Sequence, residues 1–327
     1  MATTGNAPPR AYAAAHFALE LDSGISVGLL KSIEGGSIKA DAMTYQQGGY
    51  LHRWKQVGKP KFEDIKIQTG MAVSAPFINW VRGFFAGDGI RKTGAIVAAD
   101  FYFKERARRN FAGALIKEVT IPKLDGQDKS PAYLTVAMAV ETLEFVAGTG
   151  KAIELQGKGF DDQKSWASCN FLLEIKGFEQ QCKRTTKIDS FTIRQNILEH
   201  HTGGAQMPIK VASSQVEYPN LAFYVPESDA GVFHDHIMKN RVPGAKPAGL
   251  TGVLHIQDNT RKDIFSIGLS DIDFLGVTPD RSDSTSEEIK QVKIDISVEQ
   301  MQFEAYAGKS GAEVGGTGES PGAGNVT

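Results

Sequence analysis

The chain has 327 residues, of which 41% are hydrophobic and 23% charged, and its formal net charge is −2. This is the composition of an ordinary globular protein, and the near-neutral charge excludes attraction to nucleic acid or membranes by the chain as a whole. The length predicts two domains. The sequence contains no run of about 18 apolar residues, so no membrane span is predicted. The start lacks the basic-then-apolar order of a secretory signal, which predicts folding in a cytosol. Residues 1–150 carry 18 Lys and Arg against 14 Asp and Glu. The remainder is therefore acidic, an asymmetry that could orient one half against the other or against a neighbouring copy.

The first part of the chain is dominated by strand signals. Residues 1–15 are small, polar and proline-containing, which predicts an extended arm. Alternating or continuous apolar residues after it predict a series of strands. The runs are HFALELD (16–22), FEDIKIQTG (62–70), GAIVAADFYF (94–103), AGALIKEVTIP (112–122) and YLTVAMAVETLEFVAG (133–148).

One segment in this series has helical spacing instead. The run SAPFINWVRGFFAG (74–87) begins with a residue that can cap a helix, Ser74, and finishes with Gly87, which can end one. Its apolar residues recur every three or four positions, which predicts a single amphipathic helix packed on a β domain. The side chains expected in the core are Phe77, Trp80 and Phe84.

Composition then predicts the domain boundaries. Residues 149–164 are dense in glycine and charge, which indicates a linker, and residues 309–327 are Gly/Ser-rich, which indicates a flexible tail. The arm at 1–15 and these two segments leave one domain at 16–148 and another, diverged, at 165–308.

The second domain repeats the order of the first. VETLEF (140–145) returns as VEQMQF (298–303), and KTGAIVAADFY (92–102) as LTGVLHIQDNT (250–260). Other expected correspondences are AHFALELDSG (15–24) with CNFLLEIKGF (169–178), SIKADAMTYQ (37–46) with KIDSFTIRQN (187–196), and RNFAGALIKEVTIPKL (109–124) with DIFSIGLSDIDFLGVTP (263–279). DAGVFHDHIMKN (229–240) corresponds to the helix, with Val232, Phe233 and Ile237 as its apolar face. Because the repeat is far longer than a solenoid unit, the pattern predicts a tandem duplication of one β-rich domain.

An ordered set of segments in the first domain resembles a known family. The segments are FALELD (17–22), KSIEGGSIKAD (31–41), RWKQVGKPKFEDIKIQTGM (53–71), INWVRGFF (78–85), RKTGAIVAADF (91–101), ARRNFAGALIKE (107–118) and VETLEF. Together they resemble the inner tube proteins of contractile phage tails and related contractile injection systems. The second domain keeps the strand order but lacks the W-K-x-x-G-x-x-K stretch and the helix tryptophan.

This resemblance implies a mainly β fold, with two tandem tube-type β-sandwich or split-barrel domains that each carry one flanking helix. It implies a structural subunit whose domains join edge to edge in sixfold rings, which stack into a tube with a channel for cargo. The partners implied are further copies, in a pseudo-sixfold ring of three chains or a ring of six, and the surrounding sheath, baseplate, hub or terminator proteins. The place implied is the cytoplasm of a producing bacterium and then a phage tail-like particle.

Two other functions are open. Tube proteins usually carry one such domain, so a two-domain chain is also compatible with an adaptor or cap that joins the tube end to a hub or terminator. A soluble β-sandwich that binds a carbohydrate or protein ligand is the alternative from another class.

Two basic segments are candidates for assembly contacts. The run RWKQVGKPKF (53–62) reads as a charged loop, and the resemblance implies that this connection contacts neighbouring subunits. The run FKERARRNF (103–111) suits either contact with phosphate or a hairpin edge whose charges block stray pairing or meet an acidic neighbour; we favour the edge. The candidate residues are Arg53, Lys55, Gly58, Lys59, Lys61, Arg106, Arg108 and Arg109.

No pattern predicts catalysis or a bound cofactor. G-x-S-x-G matches occur at GISVG (24–28) and GESPG (318–322), but no predicted helix follows either of them, as it would in a nucleophile elbow. The sequence has no phosphate-binding G-x-x-x-x-G-K-[ST] loop. His234 and His236 are two positions apart, so on a helix they point in different directions and suit a metal poorly. The two cysteines, Cys169 and Cys182, form neither a disulfide framework nor a zinc set. The sequence therefore predicts no enzyme, no cofactor and no metal.

Overall fold

The structure, a computed structural model, consists mainly of antiparallel strands. It describes residues 16–22, 25–46, 48–49, 51–70, 75–153, 166–201, 208–239, 249–279 and 289–305. The predicted arm (1–15), the predicted tail (309–327) and residues 154–164 of the predicted linker lie outside the described residues.

The first domain contains eleven strands and one helix among the described residues. They are β1 (His16–Leu21), β2 (Ile25–Gly35), β3 (Ile38–Tyr45), β4 (Trp54–Phe62), β5 (Ile65–Thr69), α1 (Ala75–Ala86), β6 (Lys92–Ala99), β7 (Glu105–Ile121), β8 (Leu124–Asp125), β9 (Pro131–Ala132), β10 (Leu134–Ala139) and β11 (Thr142–Ala147).

Six of these strands close into a barrel. β1 pairs with β2, β2 with β5, β5 with β10, β10 with β7, β7 with β6, and β6 again with β1, all antiparallel. Closure pairs the edges that an open sheet would expose. The inward residues of β5, which alternate with outward ones, include Ile65 and Ile67, both fully buried. The expected split barrel is therefore a complete one in this domain.

The apolar face of helix α1 is buried, as the helical spacing predicts. Phe77, Trp80 and Phe84 are each at most 3% exposed. The indole Nε1 of Trp80 donates a hydrogen bond to the carbonyl of Ile90 at 2.8 Å, which satisfies the one polar atom of this buried ring. Gly87 follows the helix with φ +77°, a conformation that suits glycine at a helix end.

The second domain has the remaining elements. They are β12 (Trp166–Ala167), β13 (Phe171–Ile175), α2 (Glu179–Cys182), β14 (Lys187–Ile188), β15 (Phe191–His200), β16 (Ile209–Glu217), β17 (Leu221–Pro226), α3 (Ala230–Lys239), β18 (Leu250–Gln257), β19 (Asp263–Pro279) and β20 (Gln291–Ala305).

The sheet of the second domain follows the same path as the first but does not close in the described part of the chain. Its order is β13-β18-β19-β20-β17-β14, with β8 of the first domain added at the end. The fully buried Phe233 on α3 packs against Phe274 of β19, with ring centroids 5.1 Å apart, and Ile237 is partly buried against the same core. The helix expected there is confirmed, but Val232, expected on its apolar face, is 44% exposed.

The two domains also share strand register. Gly94 of β6 lies opposite Phe111 of β7, and Gly252 of β18 lies opposite Leu269 of β19. Counting along the strands from these pairs, Gly113 and Asp271 are equivalent, and both have positive φ. The pairs Ala99↔Glu105 and Gln257↔Asp263 match as well. The equivalence expected between the segments beginning at Arg109 and Asp263 is therefore out of register, because Asp263 corresponds to Glu105.

Candidate assembly interface

Each domain projects one two-stranded β-hairpin, and the two hairpins pair in corresponding registers, except that the register shift skips one more residue on β16 than on β4. The first hairpin consists of β3 and β4, and the second hairpin of β15 and β16. Lys39↔Lys61 in the first corresponds to Arg194↔Glu217 in the second, and Tyr45↔Trp54 corresponds to His200↔Ile209. Both hairpins carry a register shift just after the first of these pairs. The expected match of KIDSFTIRQN with SIKADAMTYQ is thus also out of register.

The second hairpin is docked on the wall of the first domain. Strand β15 adds to β7 over four residues, so that Ile193 lies opposite Val119 and Thr192 opposite Thr120. The hydroxyl oxygens of this threonine pair are 2.9 Å apart. The contact continues the β7 edge beyond the point where β6 leaves it, and it buries Ile193 completely.

A backbone clamp holds the other strand of the second hairpin. The N–H of Lys210 on β16 donates to the Glu141 carboxylate at 2.8 Å, and Arg91 donates to the Lys210 carbonyl at 2.7 Å. Nearby, the Tyr218 hydroxyl donates to the carbonyl of Phe85 at 2.8 Å. Glu141 is not among the residues predicted from the sequence, although the repeated Val-Glu of VETLEF and VEQMQF occurs at this position.

We expect Glu141→Ala to loosen the second hairpin and lower the free energy of unfolding by ~1–3 kcal/mol, the cost of leaving a buried N–H unpaired. Lys210, whose N–H loses its acceptor, is only 9% exposed. Urea denaturation measures the change in the free energy of unfolding. Faster amide hydrogen exchange at Lys210 would show that the loss arises at this contact. Glu299→Ala is the matched control, because Glu299 occupies the same place in VEQMQF and is exposed in the single chain. Equal losses in both variants would contradict the clamp.

Further contacts join the two domains. β8 pairs with β14 and β9 with β12, so the segment between β7 and β10 of the first domain adds to sheets of the second. The rings of Phe85 on α1 and Phe303 on β20 lie 5.5 Å apart, and both side chains are buried. The linker expected at 149–164 begins against the first domain, where Ile153 donates its N–H to the carbonyl of Phe103.

The first hairpin is exposed along its length, in contrast to the docked second hairpin. All eight residues of β3 are exposed, and β3 and β4 pair with no other described strand. Large apolar side chains are also exposed on it: Ile38, Met43, Tyr45, Trp54 and Val57. A lone two-stranded hairpin is marginally stable, and its open edges are templates for pairing with another chain.

Most of the predicted contact residues in the run 53–62 lie on this hairpin. Lys55, Gly58, Lys59 and Lys61 belong to β4, and Arg53 directly precedes it. The expectation of a loop is wrong here. Its apparent turn former, Pro60, is tolerated because β4 is an edge strand whose outer N–H groups need no partner.

Ion pairs cross the first hairpin. Lys61 pairs with Asp41 at 2.6 Å, and Lys39 contacts Glu63. The hydrogen bond that Lys61 donates to Asp41 raises the pKa of Lys61, and the one that Lys39 donates to Glu63 lowers the pKa of Glu63. Because these groups are exposed, solvent screens the pairs and they add little to stability. The role of the basic residues in assembly stays a prediction.

The second basic run lies inside the barrel wall and not at a hairpin edge. β7 is paired with β6 on one side and β11 on the other from Ala107 to Phe111, so the edge interpretation is wrong. Arg108 binds Glu20 at 2.7 Å and Glu105 at 2.9 Å. Burial raises the pKa of Glu105, but the hydrogen bonds from Arg108 and Thr149 outweigh it and the net shift is downward.

The other two arginines of this run also contact their own domain. Arg106 binds Asp100 at 2.7 Å, and Arg109 donates to the carbonyl of Gly35 at 3.4 Å. Their side chains are thus held within the first domain, and nothing in these contacts tests whether they meet a neighbouring chain.

The two histidines considered as metal ligands contact aromatic rings or a neighbouring carboxylate. His236 packs edge-on against Phe178 and Phe274, and His234 lies 3.7 Å from Asp235. Within the described ranges, no three His, Cys, Asp or Glu side chains converge as metal ligands would. No helix in the same ranges has the length and apolar character needed to cross a membrane.

Known structures with some likeness come from contractile systems. The sheath–tube complex of PVC, an extracellular contractile injection system, in its extended state matches with 16% identity and a TM-score of 0.37, over 42% of this chain and 92% of that chain. The sheath/tube terminator of the same system matches with 16% identity and a TM-score of 0.35, over 43% of this chain and 100% of that chain. The tube-terminating cap of the anti-feeding prophage matches with 17% identity and a TM-score of 0.37, over 45% of this chain and 100% of that chain. No curated protein sequence matches the chain.

The sequence itself carries the assignment. Residues 13–144 match the family described as T4-like virus tail tube protein gp19. The match spans the whole closed barrel, helix α1 and the first hairpin. It ends inside β11, so the second domain lies outside it. Residues 13–144 are therefore a tail tube domain of the T4-like virus gp19 family.

Proposed function

We propose that this chain is a structural component of the inner tube of a contractile tail or contractile injection system. Copies assemble into a ring around a channel for cargo, within a phage tail-like particle that also contains sheath and baseplate or terminator proteins. The observation that carries the proposal is the tail tube family match over residues 13–144. The structural tube proteins of that family are not enzymes, and we propose no catalytic activity for this chain.

The shared strand register supports a second proposal, that the chain arose by tandem duplication of the tube domain. The two positive-φ residues at Gly113 and Asp271 stand at equivalent places in β7 and β19. The hairpins also shift register at equivalent places. A chain with two such domains can supply two positions of a ring, and three chains then make six positions.

We expect the purified chain to form rings with a central hole at high concentration, because an exposed hairpin with open edges is stabilised when another chain pairs with it. Negative-stain electron microscopy with mass measurement checks this result. A mass of three chains per ring supports alternating domains, and six chains support a second layer. A monodisperse monomer at every concentration contradicts a self-assembling tube subunit and favours an end adaptor that needs its partner proteins.

A further inference from the structure

The docked second hairpin is a template for the exposed first hairpin. Lys39 and Arg194 occupy equivalent positions in the two hairpins. Counting back from them, Ser37 is equivalent to Thr192 and Ile38 to Ile193. Thr192 and Ile193 are the residues through which the second hairpin joins β7, so Ser37 and Ile38 are the corresponding docking residues of the first.

The acceptor that corresponds to β7 is β19 of the second domain. From the equivalent pairs Gly94↔Phe111 and Gly252↔Leu269, Val119 corresponds to Val277 and Thr120 to Thr278. β19 pairs with β20 through Pro279, but β18 pairs with it only as far as Ile272. Among the described strands, none occupies the β18-side edge of residues 273–279. On β7, the equivalent edge holds the second hairpin.

In the single chain, the second hairpin is docked on the first domain and the first hairpin pairs with no other described strand, so this edge of β19 is open to the first hairpin of another copy. We propose that the first hairpin of one copy adds to β19 of a second copy, with Ile38 opposite Val277 and Ser37 opposite Thr278. This inference rests on the proposed function, because it needs copies that associate. It names the surfaces through which they do so.

The chemistry of the new pairs repeats that of the existing ones. An isoleucine faces a valine in both, and a hydroxyl faces a threonine hydroxyl in both. Ser37 donates its own hydroxyl hydrogen to Glu63, which leaves its lone pairs able to accept from Thr278. Ile38 is 45% exposed in the single chain, and docking covers it as it covers Ile193.

The backbone of the first hairpin is oriented for this pairing. The carbonyl of Ser37 accepts the N–H of Glu63 across the hairpin. In an antiparallel ladder, successive residues direct their N–H and C=O groups to opposite edges. The polar groups of Ile38 therefore point away from β4, towards the open edge that would meet the second copy.

Charge also matches at the second strand of the junction. Lys55 is equivalent to Lys210, since Trp54 and Ile209 occupy the same place in their hairpins. Glu299 is equivalent to Glu141, the acceptor of the Lys210 N–H. On β19 and β20, Asp271 and Glu299 lie opposite each other, between the pairs Ser270↔Gln300 and Ile272↔Val298. Docking brings the N–H and the ammonium of Lys55 to these two carboxylates.

The junction determines how copies follow one another. Each first hairpin reaches the second domain of the next copy, and each second hairpin reaches the first domain of its own copy. Such a contact is head-to-tail, so it gives a closed ring if the rotation closes and an open filament if it does not. First and second domains then alternate around the assembly.

The test is disulfide cross-linking between two differently labelled chains. One chain carries Ser37→Cys and the other Thr278→Cys. These positions are equivalent to Thr192 and Thr120, whose hydroxyl oxygens are 2.9 Å apart in the existing junction. We expect a covalent dimer when the two are mixed and oxidised, and none from either variant alone. Lys39→Cys mixed with Thr278→Cys is the off-register control, because diagonal neighbours are about 7–8 Å apart and link poorly.

The outcomes separate the junction from the function. Rings without the cross-link, or equal linking by the off-register pair, would overturn the junction and leave the tube proposal standing. Neither rings nor cross-link would overturn both. A cross-link formed by one variant alone would show pairing through Cys169 or Cys182, and if removing those cysteines also removed the mixed dimer, the junction would be wrong.

A backbone variant tests the same junction without cysteines. Ile38→Pro removes the N–H of Ile38, which points to the open edge, so we expect association at least about tenfold weaker, with the single chain still folded. Ile38→Thr keeps that N–H and should retain most of the association. Glu299→Ala should weaken association while leaving the monomer as stable as the wild type. Ring formation by Ile38→Pro at wild-type concentrations would overturn the proposal.

Discussion

Ile67→Pro should prevent the first domain from folding. Ile67 is fully buried on β5, between Ile33 of β2 and Val136 of β10. Proline removes a backbone donor from the ladder, and an unpaired buried group costs about 1–3 kcal/mol. Truncating the buried side chain adds about 2–5 kcal/mol if it behaves like isoleucine to alanine. The sum is comparable with the whole stability of a typical domain, about 5–15 kcal/mol.

Circular dichroism and soluble yield measure this effect. Ile67→Val is the matched control, because it keeps the N–H and should cost only about 0.5–1.5 kcal/mol. Ile38→Pro is the second control, since it introduces proline into the exposed strand β3 instead of a buried strand. A folded Ile67→Pro protein with a wild-type melting temperature would mean that β5 is not a paired strand of the barrel.

The strands and helices that carry a strong local pattern could be predicted from the sequence. Phe77, Trp80 and Phe84 recur at helical spacing and are buried on α1, and Phe233 is buried on α3 as expected. The closure of the barrel could not be predicted, because alternation indicates which face of a strand is buried but not which strand is its neighbour.

The hairpins were harder to recognise because their sequences have a misleading local signal. Gly58 and Pro60 suggested a turn, yet both lie within β4. At an edge, a strand tolerates residues that a central strand excludes, so composition alone separates such a strand poorly from a loop. The run with Arg106, Arg108 and Arg109 is expected at an edge but lies in the wall of the barrel. There Arg106 and Arg108 pair with acidic neighbours, and Arg109 donates to the carbonyl of Gly35.

The docking site was missed for a different reason. The clamp on Lys210 uses a backbone N–H and a backbone carbonyl, and main-chain groups leave no trace in residue identity. The side chains that bind these groups belong to Glu141 and Arg91, and the repeat of VETLEF as VEQMQF does not indicate what the shared glutamate binds. The role of Glu141 depends on the fold, because the pairing of β15 with β7 is what brings β16 beside Glu141.

Phe233→Ala should destabilise the second domain by about 3–5 kcal/mol, the usual cost of removing a buried aromatic ring. The ring is fully buried, with centroids 5.3 Å from Phe178, 5.8 Å from Phe223 and 5.1 Å from Phe274. Its loss leaves a cavity between α3 and the sheet that this rigid aromatic cluster cannot easily fill. Urea denaturation followed by fluorescence of the buried Trp80 and Trp166 reports on both domains.

Phe101→Ala is the matched control, because that ring is 75% exposed and its removal should change stability by no more than about 0.5 kcal/mol. A loss below about 1 kcal/mol for Phe233→Ala would contradict the packing of α3, since ring removal from a filled core costs more. The shape of the transition tests the connection between the domains. β8, β9 and β15 each pair with a strand of the other domain, so unfolding the second domain exposes edges of the first. We therefore expect the signals from Trp80 and Trp166 to change together in one transition, and separate transitions would mean that these shared strands contribute little to holding the domains together.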